Sequence, residues 1–275
     1  MELLRELPSS LKPPPPPAQG ALAARLRREL LPRANHFLSL CNVGAPEAVS
    51  PRHTPGNVQP SFSEHKKRVF GLVPVPGAGR FTGYYSSFEA EFYTISDDRF
   101  WGAGNKRFAG DITVESDPVK LGALTYCRCT DAAYVFWEAL SQLYADDAEI
   151  ERVAWVYCRV QPRIVFVREA AMYNETRYLH DILIIHTSSG AKFVFDPTGY
   201  QFGFGDYLHE WGQYKRECVD GNLWRECMPR GWIKAFNAET SAEYRLMQAA
   251  RLEEIDKVKK QSSKVVSARA RALVE

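Results

Sequence analysis

The sequence predicts a mixed fold of the α+β class, and two observations carry that prediction. Between residues 129 and 144, apolar side chains recur at the spacing of one face of a helix. Between residues 152 and 198, short segments rich in Val, Ile and aromatic residues alternate with turn residues, as in consecutive strands. The chain of 275 residues is 45% hydrophobic and 25% charged, which is typical of a globular protein with a buried core.

The first 60 residues are predicted to be a Pro-rich, largely disordered N-terminal region. The five consecutive prolines of residues 13–17 favour an extended polyproline II segment with a hydrated backbone. Residues 20–32 have the pattern of a short basic amphipathic helix, and residues 44–60 are rich in Pro and other turn formers. We therefore expect the folded domain to begin at about residue 61.

The folded domain is predicted to span residues 61–237. Residues 68–115 combine aromatic and β-branched residues with turn formers, which favours strands and loops. Four clearer strand segments follow, at residues 152–160, 163–169, 179–187 and 192–198. The Ser-Ser-Gly sequence at residues 188–190 predicts a tight hairpin turn between the last two strands.

The helix predicted over residues 129–144 begins at a group of polar and sulfur-containing side chains. Cys129 or Thr130 lies near the N-cap, and Asp131 falls in the first turn, where a carboxylate is favoured. The first turn of a helix presents unpaired N–H groups, so a thiol placed there can be stabilised as its anion.

The last quarter of the chain is predicted to hold a loop region and then a helical tail. Residues 199–237 are rich in Gly, Trp, Tyr and Arg, and we expect loops there. Tyr200 and Gln201, which lie in a Gly-rich stretch, are candidates for lining a substrate cleft. Residues 238–275 have helical propensity but only a thin apolar stripe.

Composition excludes several classes of function. The net charge of +2 gives no global attraction to nucleic acid or to an anionic membrane, so neither is expected as a partner. No signal peptide is recognisable at the N-terminus, and no run approaches 18 apolar residues. We therefore expect a cytoplasmic protein whose six cysteines are reduced thiols.

Neither a metal nor a cofactor is predicted. Cys127, Cys129, Cys218 and Cys227 do not have the paired spacing of a structural zinc site. The glycines at residues 77–83 miss the spacing of a dinucleotide-binding loop, so they are interpreted as turn residues.

A histidine and an aspartate are expected to lie close to each other across the predicted hairpin. His180 opens one strand and Asp196 ends the next. The turn at residues 188–190 sets the position opposite Asp196 at residue 180, 181 or 182. If the two side chains share a face, the carboxylate can accept a hydrogen bond from the imidazole and fix its tautomer, which is the arrangement of a Cys-His-Asp triad.

Three motifs occur in the order of such a triad. Cys129 begins the sequence C-T-D-A-A at a helix start, and His180 opens a strand. After a turn that contains Gly190, an aromatic strand ends in F-V-F-D-P-T, which includes Asp196. This order, over residues 120–200, resembles the transglutaminase-like core of the papain-like cysteine enzyme superfamily. At Ile182, where that family commonly has a Trp, the chain departs from the pattern.

The resemblance implies a papain-like or transglutaminase-like core, in which a nucleophile helix packs on an antiparallel sheet. It further implies a catalytic triad of Cys129, His180 and Asp196 that transfers an acyl group from a peptide or amide substrate, which includes proteins. With water as acceptor the enzyme is a peptidase, amidase or deamidase, and with an amine it is an acyltransferase. Asn105 or the backbone N–H of Cys129 is the candidate oxyanion donor.

Three alternatives remain open from the sequence. Cys127 is a rival nucleophile, because it lies only two residues before Cys129. The chain is alternatively a catalytically inactive transglutaminase-like module that binds other proteins. A small-molecule acyltransferase of the arylamine N-acetyltransferase type has the same order of triad residues and would need a deep pocket for its acyl donor.

Overall fold

A computed structural model of the chain describes residues 20–43, 67–70, 89–95, 110–168 and 178–272. The helices in these segments are α1 (Ala21–Val43), α2 (Pro118–Thr125), α3 (Cys129–Leu143), α4 (Trp211–Glu217), α5 (Pro229–Ala238) and α6 (Ala242–Ala272), with a 3₁₀ turn at Gly199–Phe202. The strands are β1 (Lys67–Phe70), β2 (Glu89–Ile95), β3 (Ile150–Val160), β4 (Ile164–Arg168), β5 (Leu179–Thr187), β6 (Lys192–Phe195), β7 (Leu208–Glu210) and β8 (Val219–Glu226).

The described strands form two sheets, so the fold is a mixture of helices and sheet of the predicted α+β class. The larger sheet has five antiparallel strands in the order β7-β6-β5-β3-β8. The smaller has the order β1-β2-β4, in which β2 and β4 run parallel. The hairpin between β5 and β6 closes with Gly190, whose φ of +85° suits a glycine.

Both faces of the five-stranded sheet are covered by apolar side chains. On the first face, Trp155, Leu183 and Phe195 pack against α3 in the main core. On the second face, Val156 and Ile184 belong to a smaller core that also contains residues of α4. Because both faces of the sheet are buried, β5 has four consecutive apolar residues, 182–185, rather than an alternating pattern.

Helix α1 belongs to the main core, which differs from the disordered N-terminal region predicted for residues 1–60. It is also longer than the helix expected over residues 20–32. Leu30 and Phe37 of α1 are fully buried, and the ring of Phe37 meets that of Phe136 edge-on at 5.9 Å. The apolar stripe of this basic helix packs against α3.

The region that follows β6 contains more regular structure than its composition suggested. Within residues 199–237, where we expected loops, the structure has the 3₁₀ turn, the strands β7 and β8, the helix α4 and nearly all of α5. β8 pairs with β3 through contacts distant in sequence, and such pairing is invisible to local propensity. After this region, α6 packs along α3, with Ile255 and Val258 against Ala139.

Within the described segments, no helix is both long enough and apolar enough to cross a bilayer.

Candidate active site

Cys129 is the first residue of α3, and its side chain is only partly exposed. The helix therefore directs its unpaired N-terminal N–H groups towards the same end at which the thiol lies. Arg128 precedes the cysteine and pairs with Asp131 at 3.0 Å. Because Asp131 balances this guanidinium, the positive field near the thiol comes mainly from the helix terminus.

The exposed residue Cys127 has a backbone conformation that residues other than glycine rarely adopt. Its φ is +59°, in the left-handed region. Its N–H donates to Oε1 of Gln201 at 3.0 Å. This tight turn brings the chain from α2 into α3 and sets the direction from which Cys129 enters the helix.

His180 and Asp196 form a buried pair at one end of the five-stranded sheet. Nε2 of His180 is 2.8 Å from Oδ2 of Asp196, and both side chains are fully buried. The ladder pairs Leu183 with Phe195, so Asp196 follows on opposite Ile182. His180 is thus its diagonal neighbour on the same strand face, which agrees with the range of registers that the sequence allowed.

Four hydrogen bonds converge on the carboxylate of Asp196. Oδ2 accepts from His180 and from the hydroxyl of Tyr214 at 2.9 Å. Oδ1 accepts from the N–H of Thr198 at 3.2 Å and from its hydroxyl at 3.1 Å. All four acceptor positions of the ionised carboxylate are therefore used. A Cβ at Gly199 would lie 2.6 Å from Oδ2, so the carboxylate fits closely against glycine.

The pair has strongly coupled acid–base properties. Burial disfavours the charged form of each group, but mutual attraction outweighs this penalty. Asp196 and, to a smaller extent, Cys129 raise the pKa of His180 to about 10. The charge and hydrogen bond of His180 and the bond from Tyr214 hold the pKa of Asp196 below its ordinary value. At neutral pH the pair is therefore an imidazolium and a carboxylate.

The second ring nitrogen of His180 is available to the thiol. Nδ1 is buried and has no well-aligned hydrogen-bond partner among the described residues. Cys129 lies near enough to contribute to the raised pKa of His180. Since Nε2 is engaged by Asp196, this interaction falls to Nδ1. Hydrogen bonds between catalytic groups are often poorly aligned without substrate and tighten when substrate binds.

A second buried carboxylate, Asp181, connects α3 to the sheet beside the thiol. Its Oδ2 accepts from the hydroxyl of Thr130 at 2.7 Å, and its Oδ1 accepts from Nε1 of Trp155 at 2.7 Å. Thr130 immediately follows Cys129, so this contact fixes where the helix starts relative to β5. Neither Asp181 nor Tyr214 could be selected from local sequence patterns, because both act through contacts distant in sequence.

The other predicted site residues differ in where they lie. Gln201 is buried and contacts the turn that carries Cys127, whereas Tyr200 is buried in the main core. Asn105 lies outside the described residues. A further histidine near Asp196, His209, is fully buried, and its Nε2 lies 2.9 Å from the carbonyl oxygen of Asp206.

Comparisons with protein-family models, with curated proteins and with solved structures found no match. Among the residues that the structure describes, no group of three or more His, Cys, Asp or Glu side chains is arranged to hold a metal ion. The geometry around Cys129 is therefore the observation from which a function can be inferred.

Proposed function

We propose that the protein is a thiol-dependent acyl-transfer enzyme in which Cys129 is the nucleophile, His180 the proton carrier and Asp196 the residue that orients it. The observation that carries the proposal is the geometry of His180. Its Nε2 is bound by a fully buried carboxylate, while its Nδ1 is left for the half-exposed thiol. A nucleophile, a base and a group that orients the base are the parts that nucleophilic catalysis by a thiol needs.

The proposed reaction starts with His180 as an imidazolium and Asp196 as a carboxylate. The Cys129 thiolate attacks the carbonyl carbon of an amide, and the carbonyl oxygen becomes an oxyanion. The C–N bond then breaks as Nδ1 of His180 donates its proton to the leaving amine, which leaves a thioester on Cys129. Water or a second amine attacks the thioester and gives its proton to Nδ1, and the thiolate is restored. With water the net reaction is hydrolysis, and with an amine it is acyl transfer.

A papain-like or transglutaminase-like core is part of the same proposal. It is supported by the helix that begins at Cys129 and packs on an antiparallel sheet, and by the hairpin that carries His180 and Asp196. The proposed substrate is a peptide or another amide, because the site supplies both a nucleophile and an acid for an amine leaving group.

Thiol reactivity against pH tests the proposal. The protein is labelled with iodoacetamide between pH 5 and 9, and the labelled cysteines are mapped after trypsin digestion. Cleavage after Arg128 separates Cys127 from Cys129, so the exposed Cys127 serves as an internal reference. We expect Cys129 to react at pH 6 about tenfold faster than Cys127, because the helix N-terminus and the protonated His180 favour its reactive form.

A His180→Gln variant provides the decisive control, because glutamine can still hydrogen-bond to Asp196. The rate at pH 6 should fall to that of Cys127 in this variant. Equal rates for the two cysteines in the unmodified protein, unchanged by the substitution, would contradict the proposal and favour the catalytically inactive binding module.

A further inference from the structure

The part of the first sheet face beyond the start of α3 is not covered by that helix. Thr130, in the first turn of α3, is bonded to Asp181 of β5. β5 continues for two more residues to Leu179, about 7 Å further along the same face at strand rise. Leu179 is 39% exposed, whereas Leu183, which lies under α3, is 2% exposed. The sheet therefore opens to solvent directly in front of Cys129.

Two aromatic side chains complete this open surface. Tyr157 of β3 lies opposite Asp181 in the ladder and is partly exposed. Trp232 of α5 stacks on Trp155, with ring centroids 6.5 Å apart and an angle of 23° between the rings, and it remains 45% exposed. We call the surface formed by Tyr157, Leu179 and Trp232 the apolar shelf.

The shelf lies beside the start of α3. Asp181, opposite Tyr157 in the ladder, accepts a hydrogen bond from Thr130, the residue that follows Cys129. Burial, followed by the charge of Asp181, raises the pKa of Tyr157, and Cys129 contributes in the same direction. The guanidinium of Arg225 lies over the Tyr157 ring, 5.5 Å from its centroid, and adds a positive charge at the edge of the shelf.

We propose that the apolar shelf is the substrate subsite that binds a large apolar side chain, aromatic or branched aliphatic, of the residue that supplies the reactive carbonyl. This inference rests on the proposed function and names the substrate class of the same site. Contact between an apolar substrate side chain and the partly exposed Leu and Trp side chains is favourable, because it removes apolar surface of both from water.

Covalent peptide probes test the proposal on the full chain. The probes are acetyl-Ala-Xaa chloromethyl ketones, in which Xaa is Phe, Leu or Gly. The Cys129 sulfur forms a bond to the methylene carbon, and chloride leaves. Second-order rate constants are obtained by mass spectrometry of the peptide that contains Cys129. We expect Phe and Leu to react about tenfold faster than Gly, since apolar contact discriminates on this scale.

Variants separate the shelf from general effects on the thiol. In Trp232→Ala and in Leu179→Ala, the ratio of the Phe rate constant to the Gly rate constant should fall at least about threefold, because the apolar contact area is reduced. Leu252→Ala is the matched control, because Leu252 is 61% exposed on α6, outside the shelf, and should leave the ratio unchanged.

Two results would overturn the proposal. The first is a ratio near one in the unmodified protein, and the second is a ratio that neither shelf variant lowers. If either occurs while Cys129 still shows His180-dependent reaction with iodoacetamide, only the subsite proposal fails. If Cys129 shows no such reaction, the proposed function fails and the subsite proposal fails with it.

Discussion

The carboxylate of Asp196 determines the protonation and the orientation of His180 in the candidate site. Its carboxylate accepts from His180, Tyr214 and both donors of Thr198 in a fully buried position. A carboxylate satisfied in this way stays ionised, and an ionised Asp196 keeps His180 protonated and correctly oriented. Small changes around the carboxylate are therefore expected to alter thiol reactivity without any contact with the thiol.

Gly199→Ala is expected to disturb this carboxylate directly. The added Cβ would lie 2.6 Å from Oδ2 of Asp196, the oxygen that accepts from His180, so the carboxylate must shift to avoid it. We expect a loss of stability of roughly 1–3 kcal/mol, as for other overpacked sites. The reaction of Cys129 with iodoacetamide at pH 6 should also slow. Urea unfolding and labelling rates measure the two effects.

Gly231→Ala is the matched control for that substitution. A Cβ at Gly231, in the exposed helix α5, meets no atom within 4 Å. Alanine is favoured over glycine in a helix by roughly 0.5–1 kcal/mol, so this variant should be slightly more stable and equally reactive. Equal stability and reactivity of the Gly199 and Gly231 variants would show that Asp196 tolerates displacement.

The raised pKa of His180 predicts how stability depends on pH. An unfolded histidine has a pKa of about 6.5, whereas His180 in the folded protein has a pKa of about 10. The folded state holds this proton more tightly, so the contribution to the free energy of unfolding is complete below about pH 6.5. This contribution of His180 to stability is lost as the pH rises through its folded-state pKa.

Urea unfolding of the unmodified protein and of His180→Gln, at pH 7, 8.5 and 10, measures this contribution. Groups that do not interact with His180 titrate alike in both proteins, so their effects cancel in the difference. The stability difference between the two proteins should shrink as the pH rises. A difference that stays constant from pH 7 to 10 would mean that His180 is neutral in the folded protein.

At the scale of the elements, the position of α3 on the sheet depends on one polar contact. Thr130→Val keeps the shape of the side chain and its β-branching but removes the donor to the buried carboxylate of Asp181. We expect a loss of about 1–3 kcal/mol, the cost of an unsatisfied buried group. Because the start of α3 is then less well fixed, labelling of Cys129 at pH 6 should slow as well.

Thr113→Val is the control for this prediction. The hydroxyl of Thr113 accepts only a 3.3 Å hydrogen bond from the N–H of Glu115 in an exposed turn. Its substitution should change the free energy of unfolding by less than about 0.5 kcal/mol. If Thr130→Val has an effect as small as this, the contact with Asp181 does not position the helix.

Elements with a strong local pattern were predictable, and elements that depend on distant partners were not. The helical spacing of apolar residues predicted α3, and the hairpin signal at residues 188–190 predicted that His180 lies close to Asp196. Nothing local indicates that α1 is buried or that β8 pairs with β3. Tyr214 lies 18 residues from Asp196 on a separate helix, so no spacing rule could connect the two.

At the scale of the whole molecule, α1 and α6 are held together by a buried carboxylate. Glu254 is 2% exposed and contacts His36 and Lys257. Burial opposes its ionisation, but hydrogen bonds from these two residues and nearby positive charge lower its pKa to about 2. Its contribution to stability is therefore present above about pH 4.5 and is lost as the pH falls through the folded-state pKa.

Glu254→Gln is expected to weaken this contact and destabilise the whole fold. Breaking a buried ion pair from one side costs roughly 3–5 kcal/mol. The adjacent Glu253 also contacts Lys257, at 2.8 Å, but is 55% exposed. Glu253→Gln should therefore change stability by less than about 1 kcal/mol. Thermal unfolding at pH 7 compares the two, and equal melting temperatures would contradict a structural role for Glu254.

The distance in sequence between α1 and α6 has a consequence for how the protein is made. His36 and Glu254 are 218 residues apart. At a synthesis rate of about 5–20 residues per second, α1 leaves the ribosome about 10–40 s before its partner on α6 exists. During that interval His36 and Arg33 lack the carboxylate with which they pair in the folded protein. The contact between α1 and α6 is therefore expected to form only after the intervening core has been translated.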